Sequence, residues 1–474
     1  MINRRELMTG AAALGAYGAL GEDAEAVNRI LLLSGNGRLI PPSGFGWTPP
    51  FNLFKNRNVY STDFNINSYI PPIAKTYYVN SVTGTFGNPG TSALPLIGVY
   101  QAFQKPDVDQ VIIQLAGPVA ANGAYIYWGG YGWQGQIPTD RPMSIIPDAG
   151  GRVIMVPTGG FGPPTWTKTS GLTNTYQTNV SGGTNLQNGP VDLKYLDGNG
   201  DLLIVGNKQT STANVDATPN SYYYDGSAIL YVQANDRRNL VGDVYMTNAY
   251  PGTNGTFTSS TASTVLWLTN IDFVGGLQSF ALNQSAKPIG NPPNFYALNC
   301  TFQASGFAEA FYVGGYYNVF LQNCRATNSW SDGFGWHAQN GSLGPNGFEC
   351  NCSTGFCGRG NSGSDQASSQ HDGAHCITLN PSYTGSANQT INDILAAQRW
   401  ILGGEIKAPA ETDSNGNTLQ LGASVYFWVD GTKVDAAGTF TLAVNSTGSV
   451  LHWRNTTPPL TQCTIVGPGT LVSY

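Results

Sequence analysis

A short pattern recurs along this chain at a nearly fixed interval, and it constrains the fold more than any other feature. It reads Asn294-Phe-Tyr-Ala-Leu-Asn299-Cys300, then Asn318-Val-Phe-Leu-Gln-Asn323-Cys324, then Asn346-Gly-Phe-Glu-Cys-Asn351-Cys352, at intervals of 24 and 28 residues. A fourth copy, Leu266 to Ile271, has Asn270-Ile271 where the others have Asn-Cys. Periods of this length mark a chain built by stacking one supersecondary unit on the next. Three short strands and three turns fit one unit, at ~3.3 Å per strand residue and about 4.8 Å between stacked strands. Equal positions in successive units then lie above one another. The asparagines are predicted to form a ladder of side-chain amides. Cys300, Cys324 and Cys352 are predicted to fill a buried column beside it as compact apolar groups. The spacing of Cys350, Cys352 and Cys357 also suggests zinc, but the repeat accounts for these cysteines without a metal.

Composition narrows the setting of these units. Charged residues make up 11% of the chain and glycines number 60, against roughly 25% charged residues in an average soluble domain. Amphipathic helices need charged outer faces, so few are expected and the chain reads as all-β. A net charge of -6 and a pI near 5.2, with no basic run, exclude nucleic acid as a partner, because phosphate binding needs clustered Lys and Arg. Beyond the N-terminus no apolar run is long enough to span a membrane as a helix. A Gly-rich phosphate loop, a Gly-x-Ser-x-Gly elbow and a His-Glu-x-x-His helix are all missing, which removes nucleotide, esterase and zinc-protease chemistry.

Four segments follow from the patterning. In residues 1-26, Arg4-Arg5-Glu6-Leu7-Met8 precedes a mildly apolar stretch and Ala24-Glu25-Ala26. This resembles a twin-arginine export signal, which implies an extracellular or periplasmic protein. The other reading is a retained N-terminal anchor, favoured by the acidic Glu22, Asp23 and Glu25. Residues 27-74 form an extended, Pro- and Gly-rich lead-in. Residues 75-404 carry the stack, with insertions expected on its early coils between 119 and 260. Residues 405-474 supply final coils or a C-terminal β cap that covers an otherwise exposed strand edge.

The stack opens with a strand at Tyr77 to Ser81, a turn at Asn88-Pro89-Gly90-Thr91, a short helix from Leu96 to Gln104 and a second strand at Val111 to Leu115. With the Asn/Cys coils, this opening resembles the pectate-lyase-like superfamily, over about residues 75 to 400. The resemblance implies a right-handed parallel β-helix with an N-terminal cap. The superfamily contains pectate lyases, polygalacturonases, epimerases and phage tailspike depolymerases. The chain has no Asp-Asp dipeptide of the kind polygalacturonases carry, which counts against that branch, and fold alone does not assign an activity.

Candidate chemistry comes from aligning a second strand in each coil. Ser279-Phe280-Ala281-Leu282, Ala310-Phe311-Tyr312-Val313, Gly333-Phe334-Gly335-Trp336 and Gly373-Ala374-His375-Cys376 fall into one frame. That frame places Glu309, Asp332 and Asp372 in a column just before the strand. Carboxyls on neighbouring coils would approach at glycosidase distances, and crowding would raise the pKa of one of them. A column of Asp-Gly turns would align in the same way. Three of the four histidines fall in the same window. His375 is expected to point inward, leaving His337 and His371 as general acid/base candidates. Trp330 and Trp336 would offer flat faces to sugar rings. Arg359, near Asp365, would neutralise a uronate or sulfate. No cofactor is required. Calcium on Asp332, Asp365 or Asp372 stays open, although no 12-residue calcium loop supports it.

These features lead to an expectation of a carbohydrate-active protein that binds and cleaves a polysaccharide as a lyase or a hydrolase. The alternative is a non-catalytic phage tail spike or fibre that binds a surface glycan. Such a protein would be a homotrimer associated with other virion proteins.

Overall fold

Strands of mostly two to five residues, separated by tight corners, assemble into three long sheets in which every neighbouring pair is parallel. The computed structural model describes residues 37–473 except 130–131, 133–135, 139–140, 159–162, 181–187, 247–252, 259–263, 284–290, 340–342, 361–364 and 410–416. The export-like segment 1–26 lies outside the described residues. Among those described, the first sheet has 12 strands, the second 9 and the third 10. From Val265 the chain visits them in rotation. Val265–Thr269 joins the first sheet, Ile271–Val274 the second and Phe280–Asn283 the third, and Asn294–Leu298, Thr301–Gln303 and Phe311–Gly314 repeat the circuit. The chain is therefore all-β with long parallel sheets.

The Asn/Cys repeat specifies the corner between the first and second sheets. Asn294, Asn318 and Asn346 are paired in register, and their amides form a ladder at 3.0 Å per step. The second asparagine forms its own ladder, from Asn380 through Asn351 and Asn323 to Asn299, at 3.4, 3.4 and 3.2 Å. This residue also turns the chain. Asn270, Asn299, Asn323, Asn351 and Asn380 all have φ between 50 and 54°, and Gly403, Gly431 and Asn455 take the same place higher up. Asn and Gly are the residues that enter this left-handed region most readily. Cys300, Cys324 and Cys352 follow the corner as buried free thiols, and burial pushes the thiol pKa of each upward.

Inward positions fill the space between the sheets. In the middle coils they are aromatic: Phe273 stacks on Phe302 at 5.9 Å and Phe280 on Phe311 at 6.1 Å between centroids. Each such buried ring contributes about 1.5–3 kcal/mol. Later coils carry charge instead. Arg399 and Asp393 are both fully buried and joined by two hydrogen bonds of 2.9 Å. Glu349 is buried beside them and accepts from the Tyr383 hydroxyl and the Cys376 thiol.

The first sheet's outward face carries a stripe of Trp267, Tyr296, Phe320, Phe348, Trp400 and Trp428, all buried. Phe45, Trp47 and Tyr69 lie on it. A side chain at Gly46 would stand 2.3 Å from His375 Nε2, so only glycine fits where the chain crosses that ring.

The stack begins with the expected strand, helix and strand, at Thr76–Val79, Val99–Phe103 and Gln110–Ile113. Between 157 and 254 the chain leaves the stack to form a three-stranded and a five-stranded sheet, both largely antiparallel. Asp201 of this insertion is held by Arg325 and Thr327 of the second sheet at 2.6 and 2.8 Å. The final strands, through Thr470–Ser473, continue the three parallel sheets. A separate unit near the N-terminus contains a three-stranded antiparallel sheet, Gly37–Leu39, Leu53–Asn56 and Val59–Thr62. Among the described residues no helix is long and apolar enough to cross a membrane.

Candidate functional site

Alternation along the third sheet decides which side chains reach solvent. In Phe311–Gly314, Phe311 and Val313 face the core, so Tyr312 faces out. In Phe334–His337, Phe334 and Trp336 are buried, so Gly335 and His337 face out. Register places Tyr312 beside Gly335 and Gly314 beside His337. Because Trp336 pairs with Gln370, the residues that follow, His337 and His371, become neighbours. Their rings lie 4.3 Å apart and inclined by 39°, close to the spacing of adjacent strands. Tyr312 lies on the other side of His337, at 5.2 Å.

Glu309 reaches this face from the turn before its strand. Its Oε1 is 3.7 Å from His337 Nε2, and Gln278 donates to its other oxygen at 3.3 Å. A Cβ at Gly335 would stand 2.9 Å from Glu309 Cγ and 3.2 Å from His337 Nε2, so the bare backbone there forms the floor over which the carboxyl lies. Glu309 and His337 keep 15% and 18% of their side-chain surface, enough for a ligand to touch both.

Burial sets the protonation of the cluster. It holds Glu309 above the usual carboxylate range. It pushes His337 down to about 4, and His371 down to about 4 with help from the neighbouring imidazole. Tyr312 rises to about 12 through burial and the charges of Glu309 and Asp372. At neutral pH the site thus offers two uncharged imidazoles and a phenol that keeps its proton. The Nε2 atoms of both histidines are buried without a hydrogen-bond partner among the described residues. The Asp372 carboxylate is exposed, and its oxygen lies with the two histidine nitrogens inside a 4.8 Å group.

Two of the three acids expected in one column are there. Register puts Glu309 and Asp332 at equal positions, between Gln278 below and Gln366 and Gln389 above. Asp372 is not in it, and Gln366 holds its place. Gly373-Ala374-His375-Cys376 leads into the first sheet and not the third, since His375 pairs with Asn346 and Cys376 with Gly347 there. For the same reason His375 does not point inward: it stands on the outer face, 6.1 Å from the Phe45 ring. Asp332 is fully buried, accepting from the Gln366 backbone and the Ser369 hydroxyl. Burial first, then the Glu309 charge, raise its pKa to about 7.

Two expected sugar contacts are also corrected. Trp336 is fully buried, its ring packed against Phe311 in the core, and so cannot present a face to a sugar. Asp365 is fully buried as well. Trp330 is half-buried against Gly360, and Arg359 is tied to Asn328 at 2.8 and 3.0 Å. Trp330, Arg359, Asp365 and Asp332 belong to the corner before the third sheet's strands, whereas His337, His371 and Asp372 belong to the end of those strands. Asp332, Asp365 and Asp372 therefore do not gather around one calcium ion. Sequence reasoning passed over Tyr312, Gln278 and Gly335. Alternation between Phe311 and Val313 was the signal for Tyr312, whereas Gly335 and Gln278 matter only through register.

No family model and no curated protein matches this chain. Among solved structures, a complex of XylC with xylose is similar at 10% identity and a TM-score of 0.44, covering 81% of this chain and 70% of that one. A GH136 lacto-N-biosidase from Eubacterium ramulus is similar at 10% identity and a TM-score of 0.33, covering 84% and 68%. Likeness at this level bears on neither the reaction nor the substrate.

Proposed function

We propose that the three sheets form a right-handed parallel β-helix whose third face cleaves a uronate-containing polysaccharide by β-elimination. The handedness follows the rule that crossovers between parallel strands of one sheet are right-handed in about 98% of cases. The reaction rests on one observation, the Glu309 carboxyl laid over Gly335 on the outward side of the third sheet beside Tyr312 and His337. Hydrolysis by the usual route asks for two accessible carboxyls about 5 to 9.5 Å apart. Asp332, the next acid in the column of Glu309, is sealed inside and engaged by Gln366 and Ser369. Among the described residues the exposed Asp372, which shares His337 with Glu309, is the one carboxyl that would support hydrolysis as the second reading. Elimination asks instead for one proton acceptor and one proton donor. Glu309 takes the proton from C5 of the uronate, and the C5 electron pair forms the C4–C5 double bond as the C4–O bond breaks. The departing oxygen receives the Tyr312 proton, and solvent restores the phenol.

The test is a panel of acidic polysaccharides, followed by ultraviolet absorbance for unsaturated ends and by a reducing-end assay. Both signals should rise with the native protein and vanish with Glu309→Gln. Reducing ends without unsaturated absorbance would show hydrolysis and remove the elimination reading. Binding without either signal would leave a glycan-binding protein.

A further inference from the structure

Elimination next to a carboxylate places negative charge on the sugar, and a cation must meet it. Arg359, the side chain expected to supply that cation, is tied to Asn328 at the other end of the strand. At the end where Glu309 reaches His337, three other groups converge. His337 and His371 occupy equal positions on neighbouring strands with their rings 4.3 Å apart. One donor atom from each and one from Asp372 lie within 4.8 Å of one another. Both Nε2 atoms are buried without a hydrogen-bond partner among the described residues. Leaving a buried polar atom unpaired costs about 1–3 kcal/mol, a cost that a ligand shared by the two neighbouring imidazoles would offset.

We propose that His337, His371 and Asp372 form a binding site for a divalent transition metal of the zinc class, with the exposed Asp372 on its solvent side. Two imidazole nitrogens and one carboxylate oxygen suit such an ion, whereas calcium and magnesium prefer oxygen throughout. Metal–donor distances of about 2.0–2.2 Å put donors roughly 3.3 Å apart in a tetrahedral site. The 4.8 Å group reaches this by a side-chain adjustment of about 1.5 Å, and the exposed Asp372 can supply most of it. Three protein donors leave a position free, the arrangement of zinc sites that bind a substrate oxygen. The site stands on these three side chains. Its role in meeting a uronate rests on the elimination reading above.

Protein stripped with a chelator is dialysed against Zn2+ and the bound metal counted by elemental analysis. One equivalent per chain is expected. His371→Ala, His337→Ala and Asp372→Asn should each weaken binding by at least about 10-fold. Melting curves check folding. Asp372→Asn guards against a trivial loss, since position 372 is exposed with φ 56° and Asn tolerates that conformation. Substoichiometric zinc in the native protein, or native affinity in a folded Asp372→Asn together with His371→Ala, overturns the site. Metal counting needs no substrate. Zinc bound by a protein that cuts nothing removes elimination alone, and Glu309-dependent elimination without zinc removes this site alone.

Discussion

Two columns run up the same stack, and they differ in how they tolerate change. At the corner after the first sheet, position follows position as Asn270, Asn299, Asn323, Asn351, Asn380, Gly403 and Gly431, every one left-handed. Before the third sheet the column reads Gln278, Glu309, Asp332, Gln366 and Gln389. Amides could pair along it, as Gln366 and Gln389 do at 2.9 Å, with Gln389 reaching on to Gln420 inside the next strand at 3.1 Å. The two acids take the place of amides in that ladder, and among the described residues neither has an Arg or Lys partner. The corner column is uniform because the backbone demands it. The other departs from uniformity where Tyr312, Gly335 and His337 face outward beside it, and the departure carries a cost in stability.

Asp332 makes that cost measurable, and it is the largest effect expected. Its folded pKa of about 7 stands above an ordinary 3.8. The native state therefore favours the protonated carboxyl, and the unfolded state gives the proton up more readily. Stability from this group is fully present below pH ~4 and is lost as pH rises to about 7, at ~1.36 kcal/mol per unit. The loss is about 4 kcal/mol at most. Asp332→Asn should match the native protein in urea at pH 4 and exceed it at pH 8. Parallel curves for the two proteins across that range would mean the acid is not held protonated.

Gly335 tests the outward face beside that column, with a smaller effect. Alanine there would press on Glu309 Cγ and His337 Nε2. A displacement of about 1 Å from a working geometry can cost ~10²-fold. Gly335→Ala should lower kcat by that order and leave the melting temperature nearly unchanged. Full activity would mean that Glu309 does not work from its place over the glycine.

The contrast between the columns also explains what the sequence made legible. Asn294 to Cys300 lies within one strand and its corner, so no loop length enters the alignment, and both ladders and the thiol column follow from the interval. The strands of the third sheet are separated from the next strand of the first by links of different length, His337 to Asn346 in one coil and Gln370 to His375 in the next. An Asp-Gly pair near a short link therefore mimics the start of a third-sheet strand, and Asp372, which follows the strand Ser368–Gln370, falls in the frame at the position before one. The same mimicry hides the pairing of His337 with His371. Burial is the other limit. Trp336 and Asp365 look like surface groups in a Gly- and Ser-rich stretch, and only the packing of Phe311, Trp336 and Gly358 shows them enclosed. Arg399, Asp393 and Glu349 lie inside for a related reason: they sit at inward positions where the frame predicts apolar residues.

The smallest expected effect sharpens what the corner column is for. Asn323 could stabilise the stack through its amide, which donates to Asn299 at 3.2 Å and accepts from Asn351 at 3.4 Å, or through its left-handed backbone. Asn323 is exposed, so each amide bond competes with water and falls at the low end of the ~0.5–1.5 kcal/mol range. A non-glycine side chain that dislikes the left-handed region costs about 1–2 kcal/mol there. Asn323→Ala loses the ladder and strains the corner, whereas Asn323→Gly loses the ladder and keeps the corner at an entropic cost of ~0.5–1 kcal/mol. Alanine should therefore be the worse replacement in urea unfolding. Gly403 and Gly431 already fill the same position in later coils, which the backbone explanation requires and the amide explanation does not. Equal losses for the two variants would reverse that order and make the amide ladder the feature the corner needs.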